Sequence, residues 1–209
     1  MKRISLIALV LTSLSFSAFA LDRTKIADDP QDVTPLLIGQ KIPNTHLLTV
    51  EGDPVSLKAF IMQKPTVLIF YRGGWCPYCT QQLAGIKDIE NELSELGYQI
   101  LAISPETPAQ LQEQKLQSQF VVQLLSDPGL ETIRGFGIGF YLPLVTEKLY
   151  ETKMGITLTD EKSSGRAVLP APAVFILDQK GVVRFSHVNP DYKIRLSPEF
   201  LYQAAKLSM

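Results

Sequence analysis

The chain of 209 residues holds two cysteines, Cys76 and Cys79, within Phe70-Tyr71-Arg72-Gly73-Gly74-Trp75-Cys76-Pro77-Tyr78-Cys79-Thr80. This spacing lets two sulfurs close into a small disulfide ring, the behaviour of a redox dithiol. A sulfur attacks as its thiolate, and the backbone N–H groups and macrodipole at a helix start favour that charge. A structural staple is the bland alternative, but a bridge that closes only two intervening residues removes little chain entropy. A zinc site needs more ligands than two thiols, and the histidines, His46 and His187, lie far off in sequence. Copper held by both thiolates with His187 or His46 as a third ligand is a further reading, that of a metallochaperone. Redox chemistry is the reading carried forward, with no metal or organic cofactor required.

The elements around the pair should place it at a sheet edge. Thr66 to Tyr71 is a continuous apolar run with β-branched residues, which suits a strand covered on both faces at the centre of a sheet. The dithiol follows that strand, where sites of open α/β folds collect. After it, Leu83, Ile86, Leu93 and Leu96 recur at helical spacing, interrupted by Glu90, and predict one amphipathic helix ending at Gly97. Tyr98 to Ser104 is the next strand, Thr107 to Phe120 a helix with Thr107 as cap, and Val121 to Leu125 another strand. A strand, a crossover helix and a parallel strand is the simplest topology for this order.

Upstream, residues 21–37 are polar with Pro30 and Pro35 and are expected to form an extended arm, with the core starting near Ile38. Thr45 to Val50 and Val55 to Leu57, around Glu51-Gly52-Asp53-Pro54, predict an N-terminal hairpin. Downstream, Gly135, Gly137 and Gly139 lack phosphate-loop spacing and are expected to be a flexible turn. Residues 138–168 have mixed patterning and are expected to be an insertion, partly helical, beside the site, with Asp160 to Gly165 a surface loop. Ala173 to Leu177, Asp178 to Gly181 and Val182 to Val188 predict a second hairpin. Ser197-Pro198-Glu199 starts a helix that should turn Phe200, Leu201, Ala204 and Leu207 to the core.

Composition places the chain among globular domains: 45% hydrophobic and 20% charged, with a formal net charge of −1 and no block of Lys and Arg. Nucleic acid and acidic membrane surfaces are therefore not expected partners. Lys2 and Arg3, the apolar run Ile4 to Phe16 and Ala18-Phe19-Ala20 have the form of a cleaved signal peptide over residues 1–20, leaving no membrane span. Cleavage before Leu21 would leave 18 basic against 21 acidic residues, a charge of −3, in a protein expected to be exported to the periplasm. In such a compartment disulfides form and exchange.

The order of strand, dithiol, helix, strand, helix, strand, hairpin and terminal helix resembles a thioredoxin fold, and Trp75-Cys76-Pro77-Tyr78-Cys79 resembles the active site of thioredoxins and glutaredoxins. Leu37-Ile38-Gly39-Gln40, Gly52 to Leu57, Phe70 to Thr80, Ser104-Pro105-Glu106, Leu125 to Pro128, Pro172 to Gly181 and the tail Asp191-Tyr192…Arg195…Pro198 extend this. Together they resemble the peroxiredoxin-like branch of the alkyl hydroperoxide reductase/thiol-specific antioxidant family. The resemblance covers residues 38–209 and implies an α/β domain, a central mixed sheet flanked by helices, with the N-terminal hairpin and the insertion before the last hairpin.

The resemblance also implies roles, and two patterns divide them differently. By the thioredoxin pattern Cys76 is the exposed nucleophile and Cys79 resolves, while Pro172 is similar to the cis-proline that faces the dithiol. By the pattern of Q-type peroxiredoxins, Cys79 aligns with the peroxidatic cysteine. Cys76 then stands where peroxidases carry the Thr or Ser that holds the peroxide, and Pro172 where many carry an Arg. Arg72 or Arg166 could replace that Arg. These departures, with the helix-start argument, favour Cys76 as attacker in a thiol-disulfide oxidoreductase; a thiol-dependent peroxidase is the alternative. The expected partners are a thiol donor and a protein disulfide or peroxide. Trp75, Pro77 and Tyr78 should shape the rim. Asp191 and Arg195 should pair on the surface or fix the tail, and His187 should be structural.

Overall fold

The computed structural model describes residues 22–118 and 122–208, so the expected leader lies outside them. The arm runs extended apart from a 3-10 turn at Pro30–Asp32, capped by the Asp29 carboxylate. It is docked: Ala27 exchanges backbone hydrogen bonds with Gly139 and Tyr141, and Ile26 and Leu36 are buried in the core, whereas Ile38 is 64% exposed.

In chain order, the hairpin of His46–Leu48 (β1) and Pro54–Ser56 (β2) leads through Leu57–Ile61 (α1) into Thr66–Phe70 (β3). Pro77–Lys87 (α2), Glu90–Glu95 (α3), Gln99–Ser104 (β4), Pro108–Ser118 (α4), Gln123–Ser126 (β5) and Glu131–Gly135 (α5) follow. The insertion contributes Gly139–Tyr141 (β6), Leu144–Met154 (α6), Asp160–Glu161 (β7) and Arg166–Pro170 (β8). Ala173–Leu177 (β9), Val183–Val188 (β10) and Pro198–Leu207 (α7) complete the domain.

Among the described residues seven strands form one mixed sheet in the order β10-β9-β3-β4-β5-β1-β2, with β6-β8-β7 as a second. β3, β4 and β5 are parallel, and β9 is antiparallel to β3 with Ala173 opposite Phe70. Every residue of β3 is buried, as its unbroken apolar run requires of a strand covered on both faces. Its side chains alternate between two cores. Val67 and Ile69 join Leu83, Ile86, Leu93 and Leu201; Leu68 and Phe70 join Leu57, Phe136 and Phe175. This is the α/β thioredoxin fold expected, with helices on both faces of a central mixed sheet.

Several local expectations change. The single helix after the dithiol is two, because Ile89 leaves the helical region at φ −113° between α2 and α3. The expected surface loop Asp160 to Gly165 begins with a strand, β7, which pairs with β8, and β8 pairs on its other side with β6. The glycine turn is packed rather than loose: Gly137 has φ +68°, and a Cβ there would collide with the Thr34 carbonyl of the docked arm. On α7, Leu201 and Ala205 are buried while Phe200 and Leu207 face solvent, since the helix lies on α2 and α3 along a narrower stripe than the sequence pattern suggested.

Candidate active site

β3 ends at the sheet edge and hands the chain to Tyr71-Arg72-Gly73-Gly74-Trp75, which turns it into α2. Cys76 is the N-cap residue of α2 and Pro77 its first helical residue, where a missing N–H costs nothing. The Cys79 and Thr80 amides each donate to the Cys76 carbonyl at 3.0 Å. Cys76 and Cys79 are joined as a disulfide with their Cα atoms 5.2 Å apart. Both are buried, Cys76 to 1% and Cys79 to 0% exposure, so the expected exposed nucleophile is not found in the oxidised protein. The turn needs glycine: Gly73 has φ +150°, and a Cβ there would strike the Trp75 indole and lie 2.8 Å from Glu106 Oε1.

The group that meets the sulfurs is Arg195, which was expected to serve the tail. Its Nη2 lies 3.2 Å from Cys79 Sγ and 3.9 Å from Cys76 Sγ. Nη1 donates to Gln82 Oε1 at 3.0 Å and Nε to the Tyr192 carbonyl at 2.9 Å, so the fork is held from two sides. Burial, and then the neighbouring Arg72 guanidinium, bring the Arg195 group down to about 10, which leaves it cationic at neutral pH. Asp191 makes no ion pair with it; its side chain accepts from the Lys193 amide within the turn.

α7 decides where Arg195 goes. Ser197 caps α7, its hydroxyl accepting from the Phe200 amide, and the Pro198 ring packs on Gly85 of α2 so closely that a Cβ there would sit 2.9 Å from Pro198 Cγ. The segment 189–197 is thereby laid across the start of α2. Tyr192, in that segment, meets the Tyr78 ring edge-on at 5.7 Å between centroids.

Arg72 is buried at 4% exposure among aromatic rings. Its guanidinium carbon lies 4.4 Å from the Tyr192 centroid, 5.0 Å from Trp75 and 5.5 Å from Tyr150. Nη2 donates to the Tyr150 hydroxyl at 2.9 Å, whereas Nε is buried without a partner. Tyr150 belongs to α6 and meets the Trp75 ring at a tilt of 60°, 5.3 Å between centroids, which brings α6 against the turn. Arg166, the other candidate cation, is engaged elsewhere, with Asp28 at 3.3 Å and over the Tyr141 ring at 4.1 Å.

Behind the turn is a polar network. Glu106 accepts from the Gly74 amide at 2.9 Å and from the Ser104 hydroxyl at 3.2 Å, and burial raises its carboxyl above the ordinary range. The Tyr71 hydroxyl donates to Gln114 Oε1 at 2.9 Å. A cavity of about 410 Å³, lined by Gly74, Trp75, Glu106, Gln114, Met154 and Thr157 among others, adjoins the turn.

The structure thus brings together Arg72, Trp75, Tyr78 and the two cysteines. Pro77 is exposed at the head of α2. Pro172 is buried, and no described peptide bond is cis, so the likeness to a cis-proline fails. A trans bond carries β8 straight into β9, with the Ala171 amide bonded to the Ile138 carbonyl and the Pro172 carbonyl accepting from Asn189. His46 is exposed beside Glu131, and His187 is half-buried in β10 with its imidazole held below its usual value by burial. No group of three metal-ligating side chains forms among the described residues, which leaves the copper reading without a third ligand. Arg195, Tyr192, Tyr150, Gln82 and Glu106 are what sequence reasoning missed. Gln82 carried a signal, a polar residue on the buried stripe of Cys79, Leu83 and Ile86.

The AhpC/TSA family model matches residues 38–186. A Haemophilus influenzae protein that bears the peroxiredoxin bcp name is 34% identical over 106 residues, 51% of this chain and 68% of that one. Peroxiredoxin Q, chloroplastic, of Oryza sativa subsp. japonica is 27% identical over 151 residues, 72% of this chain and 58% of its own length. Among solved structures, peroxidoxin BcpB of Mycobacterium tuberculosis is similar at a TM-score of 0.63 and 19% identity, covering 82% of this chain and 95% of that one.

Proposed function

The chain belongs to the AhpC/TSA family, and from that premise we propose that this thiol-dependent oxidoreductase is a peroxidase in which Cys79 attacks and Cys76 resolves. The observation that carries the reading is Arg195, whose Nη2 stands nearer Cys79 Sγ than Cys76 Sγ. A guanidinium at that distance favours the thiolate over the thiol. The names of the relatives point the same way, and the Cys79 alignment with Q-type peroxiredoxins agrees with the geometry. This reverses the preference for Cys76 drawn from helix position and from the departures at Cys76 and Pro172 from the peroxidase pattern.

In the proposed cycle the Cys79 thiolate attacks the distal oxygen of a hydroperoxide; the O–O bond breaks, and the alkoxide or hydroxide leaves and takes up a proton. Cys79 becomes a sulfenic acid. Cys76 then attacks that sulfur and expels water, forming the disulfide seen here. Two electrons from an external thiol donor restore the dithiol. The peroxide is hydrogen peroxide or an organic hydroperoxide.

A second reading, disulfide exchange led by Cys76, draws on its place as the N-cap of α2. Dimedone trapping separates the two. After peroxide treatment, Cys76→Ser is expected to carry the adduct on Cys79 without turning over, and Cys79→Ser to carry none. An adduct on Cys76 in Cys79→Ser, with none on Cys79 in Cys76→Ser, would overturn the assignment, and no adduct with fast exchange on protein disulfides would favour the second reading.

Export to the periplasm is also proposed, supported by the form of residues 1–20. N-terminal sequencing of the secreted product should begin at Leu21; a mature chain retaining Met1 would refute it.

A further inference from the structure

Resting on the dithiol as the reacting group, we propose that Arg72 and Arg195 form an anion subsite beside the sulfurs, whose ligand is a carboxylate carried by the small molecule that reacts there. Arg72 is buried, yet of its five N–H donors only Nη2 is engaged, with Tyr150, and its Nε is shut from solvent without a partner. Among the described residues no carboxylate lies within ion-pair distance of either guanidinium. The faces of Tyr192, Trp75 and Tyr150 satisfy the flat sides of the Arg72 cation, but rings offer nothing to donors in its plane.

Arg195 stands close enough for Arg72 to act on it electrostatically. Two like charges therefore share a half-buried site. On reduction a thiolate supplies Arg195 with its counter-ion, while nothing in the described chain does so for Arg72. A planar fork with open in-plane donors matches a carboxylate better than a spherical anion. The rim reaches solvent, since Trp75, Tyr150 and Tyr192 are half-buried and Tyr78 is 37% exposed.

The carboxylate belongs either to the thiol donor or to the hydroperoxide. As thiol donor, one thiolate attacks a sulfur of the Cys76–Cys79 bond, whose electron pair leaves on the other cysteine. A second thiolate attacks the donor sulfur of the mixed disulfide and expels the protein thiolate, so that two donor thiols are joined as a disulfide and both protein cysteines are reduced. As hydroperoxide, the step is the Cys79 oxidation above.

Trp75 is the single tryptophan and adjoins Cys76, so its fluorescence follows both reactions. In one arm the oxidised protein is reduced by 3-mercaptopropionate or by 2-mercaptoethanol, compared at equal thiolate concentration and low ionic strength. In the other, the reduced protein is oxidised by a carboxylate-bearing alkyl hydroperoxide or by its methyl ester. A preference of about tenfold for the carboxylate form is expected in at least one arm, and the arm identifies the source. The net charge of the whole chain, −1, would by itself disfavour the anion.

In Arg72→Gln the preference should fall to about one, and Arg72→Lys should restore part of it. If Arg72→Gln does not fold, malonate added to the wild-type protein should abolish the preference by competition. No preference in either arm, a preference untouched by Arg72→Gln, or one insensitive to malonate overturns the proposal. Failure of every hydroperoxide to react would sink the peroxidase reading instead, with the thiol arm still deciding the subsite.

Discussion

Arg195 is the residue on which the proposed chemistry turns. Its guanidinium is fixed by Gln82 and the Tyr192 carbonyl before any substrate arrives, so it can stabilise charge on Cys79 without reorganising. Arg195→Gln should slow oxidation of the reduced protein by peroxide about a hundredfold, in the range found when one preorganised donor is removed. The alkylation rate of Cys79 should at the same time require a higher pH, because loss of a neighbouring cation raises a thiol pKa. Arg195→Lys should recover part of the pH profile. A merely structural role would lower stability and leave that profile in place. Sequence placed Arg195 in a familiar tail segment but could not aim its side chain. The distance between positions 79 and 195 is bridged by packing, and periodicity carries no trace of it.

At the scale of elements, the contact of α2 with α7 sets that aim. Gly85 is the point of closest approach, and Gly85→Val would press two methyl groups onto Pro198 and add a β-branched residue to a helix interior. We expect a loss of about 1–3 kcal/mol in denaturant unfolding, with a fall in peroxide reactivity as the 189–197 segment lifts. A second junction lies where β5 meets α5. Asp127 is 1% exposed and accepts from the Ile133 amide at 2.8 Å, yet burial pushes its carboxyl up to about 7. Its proton is therefore held more tightly in the folded than in the unfolded chain. The stabilisation it supplies is complete below the ordinary carboxylate range and is lost as pH rises to about 7. Asp127→Asn should flatten the pH dependence of stability between about 4 and 7, followed by thermal unfolding across that range. Wild-type stability that rises over this window would contradict the assignment. These elements were largely legible, because strands β3, β4 and β9 are unbroken apolar runs and the Ser197-Pro198-Glu199 start of α7 has its expected cap. The split between α2 and α3 was not, since Ile89 is as good a residue for a buried stripe as for a break in one.

For the molecule as a whole, the question is which redox state the fold prefers. The disulfide spans two residues and so removes little entropy from the unfolded chain. Reduction gives Arg195 a thiolate partner in a site where no carboxylate among the described residues pairs with it. The reduced protein should consequently melt at or above the temperature of the oxidised one, measured by calorimetry in matched buffers. By the thermodynamic cycle, an oxidising reduction potential would accompany that result. A markedly higher melting temperature for the oxidised form would mean that the dithiol is a staple after all. Among the described residues no helix is long and apolar enough to cross a membrane.

The sequence by itself determined the redox class, the fold and the place of the dithiol at the end of the central strand. Each of these is local chemistry: two sulfurs at a fixed spacing, a helix start beside them, and strands whose hydrophobic runs admit one kind of burial. Only the tertiary structure decided which cation reaches the sulfurs and what surrounds Arg72. Arg195, Tyr192, Tyr150 and Trp75 come from three distant parts of the chain, and their meeting depends on the docking of α7 on α2 and of α6 over the turn. Helix-start physics and the departures from the peroxidase pattern favoured Cys76. The folded chain laid Arg195 nearer Cys79, and in the proposed cycle a guanidinium in contact with a buried sulfur outweighs a helix terminus that both cysteines share.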